Sequence, residues 1–238
     1  MLRVYLCLSD IDQRGDRVMA KVVGILGSPR RYGDTQLLLR LALRAAEHDG
    51  CQTELIWLYE EEIKPCLGCV SEDVKACRFP CIFEDYGKLI LQKIREAEGI
   101  ILASPIYWYN VSGPMKNLLD RLTCLENMAH IEGYSYLEGK VAAAIAVGKD
   151  TGAMMAISSM LLSLNSMGAI LPAWAMAYSQ AADVLKDEEA LMDAVNVGLL
   201  VSGLIRRLAG QEGRIMYLYD PKLCRQLLRE VLLERKKD

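Results

Sequence analysis

The stretch KVVGILGSPRRYGDT, Lys21 to Thr35, decides the architecture. Val22, Val23, Ile25 and Leu26 form the short apolar run of a buried strand. The run breaks into Gly27-Ser28-Pro29-Arg30-Arg31-Tyr32-Gly33-Asp34-Thr35 before helical periodicity begins at Leu37. Strand, loop and helix therefore follow one another. Such a loop offers an anion backbone N–H groups, the hydroxyls of Ser28 and Thr35, the positive end of a helix dipole and the charges of Arg30 and Arg31. A helix capped by Asp34 behind an ordinary turn would explain the same residues. The loop contains neither GxxxxGK[ST] nor GxGxxG, so it lacks the triphosphate and dinucleotide fingerprints and suits one terminal phosphate.

Outward from this loop, strands and helices alternate. Leu37, Leu38, Leu41, Leu43 and Ala45 share a helical face that ends at His48-Asp49-Gly50, and Thr53–Leu58 is a second strand. Leu89–Ala97 reads as helix and Ile100–Ala103 as a third buried strand. Ser112-Gly113-Pro114 opens a helix with Leu118, Leu119 and Leu122 on its buried face. Val141–Val147 is a fourth strand, 153–167 a helix and Ala169–Leu171 a fifth strand. Helices over about 187–209, with Asp187 as a capping signal, and 221–236 close the chain. This schedule predicts a doubly wound α/β domain with a parallel five-stranded sheet in the order 2-1-3-4-5. The loops after strands one and three then face each other at the point where strand order reverses. The expected divisions are an N-terminal arm or extra strand over 1–20, the main domain over 21–210 and a C-terminal helical extension over 211–238.

Composition sets the bounds. With 238 residues, 52% of them hydrophobic, the chain can bury one full core. A net charge of −3 creates no field for nucleic acid or anionic lipid, and no apolar run is long enough for a membrane span, so neither partner is expected. The start MLRVYLCLS is short and lacks a cleavage site, so the expected location is the cytoplasm.

Two further stretches face the first loop in this scheme. Pro105-Ile106-Tyr107-Trp108-Tyr109-Asn110 follows a central strand and offers flat apolar faces and backbone amides to a planar heterocycle, although an aromatic core or interface patch would use the same residues. Val147-Gly148-Lys149-Asp150-Thr151-Gly152 is a glycine-flanked turn that allows close backbone approach. The segment 59–86 breaks the rhythm: an acidic run, Glu60-Glu61-Glu62, reads as a solvated turn and precedes four of the eight cysteines, Cys66, Cys69, Cys77 and Cys81. Clustering of this kind favours metal ligation or redox chemistry over a disulfide framework. Cys7, Cys51, Cys124 and Cys224 read as small core residues. His48 falls at a helix C-terminus, where positive charge is favourable, His130 falls in a loop with no nameable partner, and neither is expected to be a catalyst; Met154, Met155, Met160 and Met167 read as core or interface filler.

Taken together, GSPRRYGDT, SPIYWYNVSGPMKNLLDR and the loop after the fourth strand resemble the NADPH-dependent FMN reductase family of flavodoxin-like flavoproteins. The resemblance implies that Ser28, Arg30, Thr35 and the backbone near Gly33 and Asp34 hold the FMN phosphate. It implies that Pro105, Ile106, Tyr107, Trp108 and Asn110 line the flavin, with Gly148 at its far edge. Where the family commonly has Asn, this chain has Asp34; a carboxylate repels a phosphate, so Asp34 is expected to turn inward onto the loop's own amides. The cysteine segment, CxxC and CxxxC separated by seven residues, looks like the iron-sulfur flavoprotein branch, in which four such cysteines bind a 4Fe-4S cluster. A zinc site, a Cys66–Cys69 dithiol or no metal at all remain open for the same residues. The resemblance further implies an FMN-dependent oxidoreductase passing electrons between NAD(P)H or a protein donor and a quinone, ferric or protein acceptor. It implies a homodimer or homotetramer and no side chain acting as acid or base; a non-enzymatic flavin electron carrier or redox-responsive partner protein is the alternative.

Overall fold

The computed structural model describes residues 19–235. Nearly all of the expected N-terminal arm, with Cys7, and the chain end at Lys236 lie outside the described residues.

Strand β1 (Lys21–Leu26) lies inside a five-stranded sheet in which β2 (Gln52–Trp57), β3 (Gly99–Pro105), β4 (Val141–Val147) and β5 (Met176–Ser179) all run parallel to their neighbours. The order is β2-β1-β3-β4-β5, as the sequence predicts. Strands β3 and β4 are buried along their whole length, which is why both read as unbroken apolar runs.

Alternate residues of β1 face two cores. Val22 and Leu26 point to one layer with helices α1 (Asp34–His48), α7 (Glu188–Leu208) and α8 (Pro221–Glu234). Val23 and Ile25 point to the other, with α2 (Tyr86–Glu96), α3 (Gly113–Arg121) and α6 (Ala153–Ser166). The alanines of β4 leave room on both faces, Ala143 on the first and Ala142, Ala144 and Ala146 on the second. On the first face α7 lies hard against α1: a Cβ on Gly198 would stand 2.0 Å from the Ala42 carbonyl oxygen, so only glycine permits this approach. Helix α8 is tied to α1 by ion pairs of Arg44 with Glu230 and Glu234.

Two details depart from the sequence reading. The fifth strand is Met176–Ser179 rather than Ala169–Leu171; Ile170 makes only a single bridge, to Val141. The chain after α3 continues through two short helices, α4 (Thr123–Glu126) and α5 (Met128–Ile131), which the periodicity did not separate. Among the described residues no helix is long and apolar enough to cross a membrane.

Candidate functional site

The loops after β1, β3 and β4 emerge from the carboxyl edge of the sheet, and the first two flank the point where strand order reverses. Main-chain bonds seat each of them. Gly27 N–H donates to Ala103 O (2.7 Å), Ile106 N–H to Val147 O (2.9 Å) and Gly148 N–H to Ser179 O (3.0 Å).

In the first loop Ser28 is 3% exposed, and its hydroxyl oxygen accepts the Arg30 N–H (3.2 Å). Gly33 N–H donates to Arg30 O (3.1 Å), closing a tight turn in which a Cβ on Gly33 would stand 3.1 Å from the Arg30 Cβ. The Trp57 indole, at the end of β2, donates to Ser28 O (2.7 Å), and Arg31 lies over its ring at 5.5 Å. Helix α1 starts at Asp34 with Gly33 as its N-cap, and no side chain caps it. Helices α2, α3, α7 and α8 are all capped by a side chain, from Asp85, Ser112, Asp187 and Asp220. The first-turn N–H groups of α1 are thus left for an external anion, with the buried Thr35 beside them.

Asp34 neither caps α1 nor turns onto the loop's amides. Its carboxylate pairs with the Lys149 ammonium (3.3 Å), which arrives from the loop after β4 and also bonds the Ala182 carbonyl. The second loop is a two-residue hairpin. Tyr107 and Asn110 exchange both main-chain bonds (2.8 and 3.0 Å), and the residues between them, Trp108 and Tyr109, have φ of +48° and +65°. Both central residues of this turn type must be left-handed, a geometry that usually calls for Asn-Gly. Two aromatic residues held there cost roughly 1–2 kcal/mol each, strain of the kind that collects at binding sites. Trp108 is 93% exposed. Gly148 and Gly152 make the neighbouring wall thin: a Cβ on the first would stand 2.8 Å from Ile106 Cδ1, and on the second 2.9 Å from Tyr109 Cδ1. Like α1, α6 behind Gly152 has no side-chain cap.

The cysteine segment forms a separate recess whose walls include Cys66, Cys69, Cys77 and Cys81, all half-buried, together with Arg121 and a fifth, buried cysteine, Cys124. Its only regular structure is two short 3-10 turns, Cys69–Ser71 and Val74–Ala76. Side chains hold the rest. Arg121 grips Asp85 with both terminal nitrogens (2.9 and 3.0 Å) and donates to Lys64 O (3.1 Å). The buried Asn127 amide donates to Val74 O and Cys77 O, both at 2.6 Å. Gly68, at φ +69°, aims its N–H at Cys66 Sγ (3.4 Å).

Burial and the neighbouring thiols Cys66, Cys69 and Cys81 push the Cys77 thiol up to about 11. A hydrogen bond from the Cys124 thiol pulls Cys81 down to about 5, against the cost of burial and with help from the Phe83 N–H and Arg121. The same bond, together with burial, raises Cys124. Among the described residues no three His, Cys, Asp or Glu side chains are drawn together closely enough for a single metal ion. A cubane spreads its thiolates over four irons, so its ligands stand further apart than the corners of a zinc tetrahedron with arms of about 2.3 Å. Four cysteines around one recess, with a cation in its wall and an N–H on one sulfur, are a donor set suited to such an anionic group.

Sequence reading missed Arg121, Asn127, Cys124 and Lys149. Arg121 left a sign, since it falls on the apolar stripe of Leu118, Leu122 and Leu125, where a charge needs a buried partner. The others left none. His48 and His130 are exposed, Met160 is fully buried, and Met154 and Met155 are exposed beside Gly152.

The sheet order and the anion-ready loop at its switch point define a flavodoxin-like α/β protein. A family model for the NADPH-dependent FMN reductases matches residues 20–183, and the chain belongs to that family. It is 43% identical over 129 residues to an iron-sulfur flavoprotein of Methanocaldococcus jannaschii, covering 54% of this chain and 62% of that protein. It is 36% identical over 132 residues to an iron-sulfur flavoprotein of Methanosarcina thermophila, covering 54% and 63%. The chain thus spans less than two thirds of the length of these relatives. Among solved structures, RosB with bound 8-demethyl-8-formylriboflavin-5'-phosphate superposes with a TM-score of 0.67 at 23% identity, over 89% of this chain and 87% of that one. An archaeal flavodoxin superposes at 0.51 with 15% identity, over 78% and 98%.

Proposed function

We propose that this chain is an FMN-dependent oxidoreductase that moves electrons between NAD(P)H or a protein donor and a quinone, ferric or protein acceptor. The observation that carries the reading is the uncapped N-terminus of α1, set beneath the buried Ser28 and across the switch point from a strained aromatic hairpin. In this reading Ser28, Arg30, Gly33 and Thr35 bind the phosphate, and Asp34 acts through Lys149 by drawing that cation to the loop. Pro105, Ile106, Tyr107, Trp108 and Asn110 orient the ring and keep water from it, and Gly148 and Gly152 let Ile106 and Tyr109 pack close. FMN, when bound, supplies the hydride and electron chemistry; no side chain of the chain is required as acid or base.

The names of these relatives and the donor set of the recess support a second centre, a 4Fe-4S cluster on Cys66, Cys69, Cys77 and Cys81 acting as a one-electron relay. The reading includes a cytoplasmic homodimer or homotetramer that engages neither nucleic acid nor membrane. Residues 21–210 form its FMN domain, 59–86 its cysteine loop and 211–238 a C-terminal extension. The visible spectrum of protein prepared without oxygen tests both centres. Flavin bands plus a broad brown shoulder, with about four irons per chain, are expected. A colourless protein that takes up no added FMN would overturn the first centre, and one zinc per chain the second.

A further inference from the structure

We propose that Arg121 is the cation that sets the reduction potential of a cluster held by Cys66, Cys69, Cys77 and Cys81, with Asp85 as its counterweight. The inference rests on the 4Fe-4S reading above and goes beyond it by assigning a role to residues outside the cysteine set. Arg121 is 1% exposed, and an arginine cannot shed its proton to escape burial, so its charge stands permanently in the wall of the recess. A purely structural role accounts for only part of its guanidinium. The two terminal nitrogens are taken by Asp85 and by the Lys64 carbonyl, but Nε, equally buried, has no hydrogen-bond partner among the described residues, and the guanidinium stands beside Cys81 in the recess wall. Leaving a charged donor buried and unpaired is costly unless something accepts from it. The Phe83 ring lies 4.8 Å from the guanidinium carbon and screens it from water, so its field acts at short range and with little damping.

Four thiolates make the cluster an anion in either oxidation state, and adding one electron makes it more negative still. A fixed cation nearby therefore favours the reduced form and raises the potential, while its carboxylate partner offsets part of that effect. The two residues must then act with opposite sign, which a shared structural role would not produce.

The test uses the whole chain, prepared without oxygen, in reductive titrations with dithionite followed by electron paramagnetic resonance, with iron counted for each sample. In Arg121→Gln the cluster should be harder to reduce by about tenfold or more, about 59 mV for one electron. In Asp85→Asn, which keeps a side chain able to cap α2, it should be easier to reduce. The flavin potential should move in neither. Equal potentials in all three proteins, or shifts of the same sign, would overturn the inference while leaving the cluster in place. Should Arg121→Gln fail to fold or to hold iron, Asp85→Asn decides alone: a rise supports the inference, and no change, a fall or loss of iron overturns it. Parent protein that holds no iron removes the cluster reading, and the inference with it.

Discussion

The loops after β1, β3 and β4 hang from the sheet by main-chain bonds, whereas the stretch from Ile63 to Asp85 that carries the cysteines hangs from side chains of α3 and of the α4–α5 junction. In the first region Gly27, Ile106 and Gly148 each donate a backbone N–H to the edge of a neighbouring strand, so the loops are placed by the sheet itself. In the second, Asn117 and Arg121 hold the carbonyls of Ile63 and Lys64 just ahead of the first cysteine, and Asn127 holds those of Val74 and Cys77 in a segment with almost no regular structure. A site of the first kind is formed before its ligand arrives, and binding costs little ordering. A site of the second kind relies on a few polar anchors, and each anchor carries more weight.

That contrast can be broken by changes confined to one region. The largest effect is expected from Cys69→Ser: iron should fall from about four per chain to below one, while the flavin bands remain, as measured by iron assay and absorbance on the same sample. Next is Ser28→Asp, which places a carboxylate in the buried turn. FMN affinity should drop at least about a hundredfold, about 2.7 kcal/mol, by fluorescence titration, with iron content unchanged. Loss of iron in this variant, or loss of FMN in the first, would show the two regions to be one unit. Gly152→Ala introduces a Cβ that meets Tyr109 and requires an unfavourable φ near +101°. It should weaken FMN about tenfold and lower unfolding stability by roughly 1–3 kcal/mol in urea. The smallest change belongs to Lys149→Met, where FMN should bind about threefold more weakly at low ionic strength and the difference should vanish in high salt.

The sheet was legible because its central strands are buried on both faces and so read as apolar runs between turn residues. Strand β5 was not. It has four residues, Tyr178 faces solvent, and among the described residues it pairs only with β4, so Ala169–Leu171, more apolar, drew the assignment. The positions of the loop after β1 and of the hairpin could be read from the residues themselves, since glycine, proline and aromatic clusters mark strand exits. The partner of Asp34 could not, because Lys149 lies 115 positions away and meets it only once β4 is in place. Cys124 was hidden for a similar reason. A cysteine on a helix reads as core, and only the folded chain sets it against Cys81.

The outward-facing Trp108 gives the molecule a built-in optical gauge. The chain has three tryptophans, and Trp57 and Trp174 both have aromatic or cationic neighbours, Arg31 over the first and Tyr217 against the second. Trp108 stands almost wholly in water at the tip of the hairpin, so its emission should be red-shifted and readily quenched by iodide. Whatever covers that tip, the flavin ring, a second subunit or a redox partner, should change its emission and shield it from the quencher. The hairpin would thus announce its own occupancy without a label.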